Sequence, residues 1–95
     1  MIEKSEKKFL RMLCAAGSIE ILDFIGEQGT GQYTELIRFV SIPTLNLRLK
    51  ELLDYGLIEH HLERIEKKRE WYELTEKGKQ TLQCAKLLLE LSKSL

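Results

Sequence analysis

The 95-residue sequence predicts a mainly α-helical fold that carries one small β-hairpin, an α+β class. Apolar residues recur at helical spacing over most of the chain, and glycines and capping residues divide the helices from one another. Two short apolar runs, 57–62 and 71–74, lie on either side of a charged stretch and predict paired strands. The length suits a single domain, 1–95. We expect an N-terminal helix in 1–17, a core in 18–74 and a C-terminal helix in 75–95.

The first part of the chain predicts three helices. Residues 5–16 place apolar side chains at helical spacing, and Gly17 ends that run. Ser18 can cap a second helix, whose apolar side faces the core and whose acidic side faces water. Thr34 can cap a third helix that runs to Val40.

The fourth helix, from Pro43 to Tyr55, has the clearest signals. Pro43 lies in its first turn, where a missing N–H costs nothing, and Gly56 is a natural left-handed terminator. The short gap between Val40 and Pro43 forces a tight turn between the third and fourth helices. One apolar stripe runs along the fourth helix at spacing i, i+4, i+7 and consists of Leu45, Leu49 and Leu52.

The two strands and the last helix complete the chain. The loop between the strands is long and charged, and Thr75 can cap a helix that runs to about Ser92. A recognition-type helix, a two-stranded wing and a closing helix, in this order, predict a winged helix-turn-helix domain with additional terminal helices.

The last helix has an apolar surface too wide for one contact. Leu82, Ala85 and Leu89 can close the domain. Leu87 and Leu91 lie on the opposite side with Cys84, and would stay exposed in a monomer, which indicates a partner helix. We therefore expect a homodimer. The residues expected at its interface are Phe9, Leu13, Leu87, Leu88, Leu91 and Leu95.

The outer side of the fourth helix predicts a DNA-reading surface, since the second helix of a helix-turn-helix meets base edges in the major groove. Asn46 could pair with adenine, Thr44 could bind a base or a phosphate, and Leu47 could contact a thymine methyl. Arg48 lies nearer the core, so a phosphate or an intramolecular carboxylate is its expected partner. The charged loop could contact backbone phosphates. The predicted DNA-binding residues are Pro43, Thr44, Asn46, Leu47, Arg48, Lys50, Arg64, Lys67, Lys68 and Arg69.

Composition leaves an alternative open. The chain carries 15 basic and 15 acidic residues, so it is not the strongly basic sequence typical of nucleic-acid binding. Zero net charge and the apolar Leu47 favour a winged-helix module that docks a protein partner and never touches DNA. Each predicted DNA contact also has a simpler interpretation. The fourth helix could be an ordinary surface helix, and the hairpin could be solvated with its charges paired locally.

The remaining reactive residues give weaker signals. Cys14 and Cys84 lie in helical apolar patterns, which predicts buried reduced thiols; a disulfide between helices or subunits is the alternative, and would make them redox-active. His60 and His61 are adjacent on a strand, so they point to opposite faces and cannot chelate one metal together. No recognisable catalytic arrangement or phosphate-binding loop occurs. We expect no enzymatic activity, no cofactor and no metal.

The expected location is the cytoplasm, without a membrane partner. No apolar run approaches the roughly 20 residues of a membrane span. The N-terminus is charged from Glu3 to Lys8 and lacks the apolar core of a signal peptide.

From Ile21 to Leu82 the chain resembles small winged-helix transcription regulators of bacteria and archaea. The resemblance is closest to the HxlR-type group and looser to MarR-, PadR- and ArsR-type proteins. The matching segments are Tyr33–Leu36, Ser41, Thr44–Leu45, Arg48–Leu52, Gly56–Ile58, Tyr72, Leu74–Gly78 and Leu82.

This resemblance implies a homodimer held by terminal helices, whose paired recognition helices read a pseudo-palindrome in double-stranded DNA. It implies base-facing positions at Pro43, Thr44, Asn46 and Leu47, with Lys50 near the backbone. The metal-binding cysteine motif of ArsR-type sensors is absent. Redox sensing through an N-terminal cysteine, known among HxlR-type relatives, would correspond to Cys14, although the residues flanking it differ.

Overall fold

The computed structural model describes residues 1–94, and this part of the chain forms five helices and one two-stranded antiparallel sheet. The predicted mainly helical fold with a small hairpin is confirmed. The helices are α1 (Lys4–Leu13), α2 (Ser18–Gln28), α3 (Tyr33–Leu36), α4 (Ile42–Asp54) and α5 (Glu76–Lys93). The strands are β1 (Ile58–Glu63) and β2 (Arg69–Leu74).

The junction of α1 and α2 differs from the prediction, since α1 already ends at Leu13 and is not ended by Gly17. Gly17, with φ +88°, occupies the position before α2, and Ser18 is the first helical residue and is fully buried. The Ser18 hydroxyl donates to the carbonyl of Met12 over 2.7 Å instead of capping α2. The Glu20 carboxylate instead accepts from the Gly17 N–H at 3.1 Å and so caps the start of α2. The Ser18 hydroxyl therefore ties α2 to the end of α1.

The third helix is shorter than predicted and begins two residues earlier, because its N-cap is Gln32 and not Thr34. It spans a single turn, and the Gln32 N–H donates to the Glu35 carboxylate at 2.9 Å just before it. The helix does not continue to Val40, because Phe39 and Val40 turn back to pack against the core. The tight connection to α4 thus consists of packed residues and is not part of a helix.

The core lies between α1, α2, α4, the base of the hairpin and the start of α5. The predicted leucine stripe of α4 is confirmed as buried, at 0–4% exposure. Leu13 of α1 is also buried, at 8%, and so belongs to the chain's own core. The core comprises Met12, Leu13, Ile21, Leu22, Ile25, Leu36, Leu45, Leu49, Leu52, Leu57, Ile58 and Leu82.

The hairpin follows α4 directly. Gly56, with φ +71°, reverses the chain as predicted. The strands pair in register from Ile58 with Leu74 to Glu63 with Arg69. Thr75 caps α5 as predicted, since its hydroxyl oxygen accepts from the Gly78 N–H at 3.0 Å.

Only the first half of α5 lies against the domain. Leu82 and Ala85 are buried, and Lys86 reaches Asp23 of α2 at 2.9 Å. Leu89, one turn further on, is 49% exposed, so the expectation that it closes the domain is wrong. The reason is that the last turns of α5 extend beyond the elements that α5 packs against.

Candidate nucleic-acid interface

The burial of the leucine stripe determines which side of α4 faces outwards. Pro43, Asn46, Leu47 and Lys50 are all exposed, and Leu47 is 50% exposed. When one side of a helix is packed against the core, the opposite side stays exposed and can contact a partner. Four of the predicted DNA-binding positions therefore share one free surface.

The first turn of α4 holds Thr44 in place. The Ser41 hydroxyl donates to Thr44 Oγ1 at 3.0 Å, and Thr44 is half-buried. A hydroxyl that accepts one hydrogen bond keeps its own proton for donation. Thr44 can thus still donate to a base acceptor or a phosphate oxygen.

Arg48 does not belong to this free surface. Its side chain is only 13% exposed. Its Nε donates to the carbonyl of Ala16 at 2.8 Å, and a second guanidinium nitrogen donates to Glu51 at 2.9 Å. The expected intramolecular carboxylate is thus one of its two partners, and a contact between Arg48 and DNA stays a prediction.

Lys50 lies on the free surface but is paired. Its ammonium group is 3.2 Å from Asp54, and both side chains are more than half exposed. An exposed pair of this kind contributes little free energy. A DNA phosphate could therefore displace Asp54 at small cost.

The hairpin tip presents both free and paired cations. Lys68 lies 2.8 Å from one oxygen of Glu70, and His60 lies 3.2 Å from the other. The Lys68 ammonium, and then His60, lower the pKa of the Glu70 carboxyl. Within residues 1–94, no ion pair involves the other cations of the tip, which are Arg64, Lys67 and Arg69.

A groove of about 840 Å³ separates the hairpin tip from the start of α3. Thr34 and its neighbours line one wall, and the stretch from Lys67 to Arg69 lines the other. Glu63 and Glu66 also border it, so the charge of the groove is mixed.

Tyr33 is a site residue that sequence reasoning missed. Its hydroxyl donates to Asn46 Oδ1 at 2.7 Å, between residues 13 positions apart on different helices. Tyr72 lies nearby; burial, then Glu70 and then Tyr33, raise its pKa. A contact between side chains on different helices cannot be predicted from a local sequence pattern.

The two histidines point to opposite faces of β1, as predicted. His60 lies beside Tyr72 at 5.1 Å, and His61 stacks on Trp71 at 5.5 Å between ring centroids. Within residues 1–94, no group of three or more histidine, cysteine or acidic side chains is arranged to hold a metal ion.

Both cysteines are exposed, which corrects the prediction of buried thiols. Cys14 follows directly after α1, where the chain turns away, and the adjacent Leu13 takes the buried position instead. Cys84 lies on the side of α5 away from Leu82 and Ala85. Helical periodicity predicted apolar surroundings, but the packing partners decided which side was covered.

The predicted dimer surface is partly present on this chain. Leu87, Leu88 and Leu91 are 60–66% exposed along the end of α5. Phe9 instead packs edge-on against Tyr55 at 5.1 Å, and Leu13 is buried, so neither forms part of this exposed stripe. Leu95 lies outside the described residues.

Comparison with known families identifies the fold group. A family model described as HxlR-like helix-turn-helix matches residues 18–94. The chain belongs to the HxlR-like helix-turn-helix family. The match covers α2 to α5, so it includes the whole surface described above. Membership of this HxlR-like family supports a DNA-binding regulator.

Solved structures agree with the HxlR-like fold. YtfH from Salmonella typhimurium, described as a transcriptional regulator, is 21% identical, with a TM-score of 0.77 over 92% of this chain and 80% of its own. Diamide-treated YodB from B. subtilis is 20% identical, with a TM-score of 0.77 over 100% and 96%. A regulator of the MarR family from Enterococcus faecalis V583 is 21% identical, with a TM-score of 0.80 over 99% and 89%. At these identities the likeness shows the fold.

No curated protein matches the sequence significantly. Among the described residues, no helix is both long enough and apolar enough to cross a bilayer.

Proposed function

We propose that the protein is a homodimeric transcriptional regulator that binds double-stranded DNA sequence-specifically through α4 and does not act as an enzyme. One observation carries the proposal: the leucine stripe fixes α4 to the core while Asn46, Leu47 and Lys50 remain exposed on its other side. A helix held in this way can enter the major groove, where base edges are distinguishable.

The wing supplies contacts that do not depend on sequence. Lys67, Arg64 and Arg69 are exposed cations at its tip, and phosphate contacts of this kind position a protein on the duplex. Since the chain has no net charge, these contacts have to act locally, and affinity at physiological salt should be modest.

A second copy of the chain would cover the end of α5. Leu87, Leu88 and Leu91 form an exposed apolar stripe of the type that marks an interaction site. A two-fold dimer would present two α4 helices to half-sites about 34–36 Å apart.

Fluorescence anisotropy with duplex DNA at several salt concentrations tests the DNA contacts. Asn46→Ala should relax sequence preference. Lys67→Ala combined with Lys68→Ala should weaken binding to all sequences and flatten the salt dependence. Lys4→Ala combined with Lys7→Ala removes the same charge from α1 and serves as the matched control. Unchanged affinity in both site variants would contradict the proposed surface.

Static light scattering tests the dimer. The wild type should have about twice the 11.1 kDa mass of the chain. Leu87→Ser combined with Leu91→Ser should give the monomer mass, because each change makes an exposed apolar contact polar. A wild-type mass of one chain would contradict the dimer.

The alternative function is docking of a protein partner without DNA binding. Exposed apolar residues on α4 favour it: Ile42 is 54% exposed and Leu47 is 50% exposed. An electrophoretic shift on random duplex DNA at low salt separates the two. A complete lack of shift would favour the docking module.

A further inference from the structure

The hydroxyl of Tyr33 connects α3 to the outer side of α4. It donates a hydrogen bond to Asn46 Oδ1 over 2.7 Å, and both residues are exposed. The two side chains also line a groove of about 260 Å³ that Lys50 and Tyr72 border. The contact therefore lies on the surface that would face DNA and not in the core.

The backbone that carries Tyr33 is held on both sides. Gly31 exchanges two backbone hydrogen bonds with Tyr72 of β2, at 2.9 and 2.8 Å. The N–H of Gln32 donates to the Glu35 carboxylate at 2.9 Å. A tyrosine side chain has only two χ angles, so a fixed backbone places its hydroxyl at low entropic cost. Tyr33 is thus suited to orient a neighbouring group.

The direction of this hydrogen bond decides which end of the Asn46 amide is available. The oxygen turns towards Tyr33, and the two N–H donors are left for another partner. An asparagine that reads adenine uses both ends, because its oxygen accepts from N6 while its N–H donates to N7. The oxygen keeps a second lone pair, but the hydrogen bond turns it towards Tyr33, so the amide offers its N–H donors elsewhere; these match guanine, which presents two acceptors, N7 and O6.

We propose that Tyr33 is a positioning residue that sets the base preference of Asn46 in favour of guanine over adenine. The inference rests on the proposed function, because it requires α4 to enter the major groove. It differs from the sequence-based expectation that Asn46 pairs with adenine. Tyr33→Phe keeps the ring but removes the donor, so the amide becomes free to turn.

Binding-site selection from a random duplex library tests this, with the wild type and four variants. Asn46→Ala locates the base position that Asn46 reads. The wild type should select guanine there by about fivefold or more, the lower limit for one good base contact. Tyr33→Phe should shift that position towards adenine and leave the others unchanged.

Tyr72→Phe is the matched control. It removes a hydroxyl from the same groove, and within residues 1–94 that hydroxyl makes no side-chain hydrogen bond. It should leave the selected sequence unchanged. Adding Tyr33→Phe to Asn46→Ala should also change nothing further, since Tyr33 acts only through Asn46 in this proposal. A purely structural role for Tyr33 would instead lower affinity in both backgrounds.

The outcomes separate the inference from the proposed function. Identical base profiles for the wild type and Tyr33→Phe, or an adenine preference in the wild type, would overturn the role of Tyr33 while leaving DNA binding intact. A library from which the wild type enriches no sequence would overturn sequence-specific binding, and the inference with it.

Discussion

Gly78 offers the sharpest test of how the wing is joined to α5. It lies in the first turn of α5 and is buried. A Cβ built on it would lie 1.9 Å from the carbonyl oxygen of Leu57, whereas real Cβ atoms essentially never approach closer than 3.0 Å. That carbonyl already accepts from the Thr75 N–H at 3.1 Å. Gly78→Ala therefore has to move backbone by more than about 1 Å at the base of the hairpin.

The expected loss follows from two opposing terms. Overpacking typically costs about 1–3 kcal/mol and sometimes more, and a clash with backbone belongs at the upper end because backbone cannot rotate away. Alanine is a better helix former than glycine by about 1 kcal/mol, which offsets part of this loss. We expect Gly78→Ala to lower the free energy of unfolding by about 2 kcal/mol or more.

Gly26→Ala provides the control. A Cβ there would lie 2.8 Å from Leu82 Cδ2 and 3.3 Å from Leu74 Cδ1, which are both far ends of flexible side chains. Rotation of Leu82 can relieve the closer contact, and the gain in helix propensity then leaves a net change near zero.

Urea unfolding measures the free energy of unfolding of both variants. All samples are kept at one protein concentration, since dimerisation would make stability depend on concentration. If Gly78→Ala were as stable as the wild type, or if Gly26→Ala lost as much as Gly78→Ala, the argument from backbone contact would be wrong.

Three further predictions concern α4 and the wing. Leu52→Ala should lower the free energy of unfolding by about 2–5 kcal/mol, whereas Leu47→Ala should change it by less than about 0.5 kcal/mol; equal losses in urea unfolding would contradict the assigned orientation of α4. Asp54→Asn should raise affinity for random duplex DNA about twofold and steepen its salt dependence, because Lys50 loses its intramolecular partner; an unchanged salt slope in anisotropy titrations would refute this. Glu70→Gln should destabilise the fold only when Glu70 is charged. Since folding lowers the pKa of Glu70, its stabilisation is present above about pH 4.5 and is lost as pH falls through the lowered value, so wild-type and variant unfolding midpoints should converge in acid and not at neutral pH.

Some errors of sequence reasoning share a physical cause. Periodicity gives the apolar side of a helix, but not how far a neighbouring element extends along it. Leu89 fits the buried pattern of α5 and is nevertheless exposed, because α5 extends beyond its packing partners. Cys14 fits the pattern of α1, yet the helix ends before it and Leu13 is buried instead.

Part of the candidate site could be predicted from the sequence, and the rest depends on contacts between different helices. The outer side of α4 follows from the spacing of three leucines within one helix, which is local information. One partner of Arg48 is the carbonyl of Ala16, 32 residues away, and the partner of Tyr33 is Asn46 on another helix. Such contacts depend on how helices meet, so they cannot be read from spacing alone.

The sequence by itself determined the order of the elements, the stop at Gly56 and the anchored side of α4, because helix periodicity, capping and glycine conformation act over a few residues. Only the tertiary structure decided which cations are unpaired, that both cysteines are exposed and which end of the Asn46 amide binds Tyr33. Those properties arise from contacts between elements distant in sequence, where burial and hydrogen-bond geometry are set by the fold as a whole.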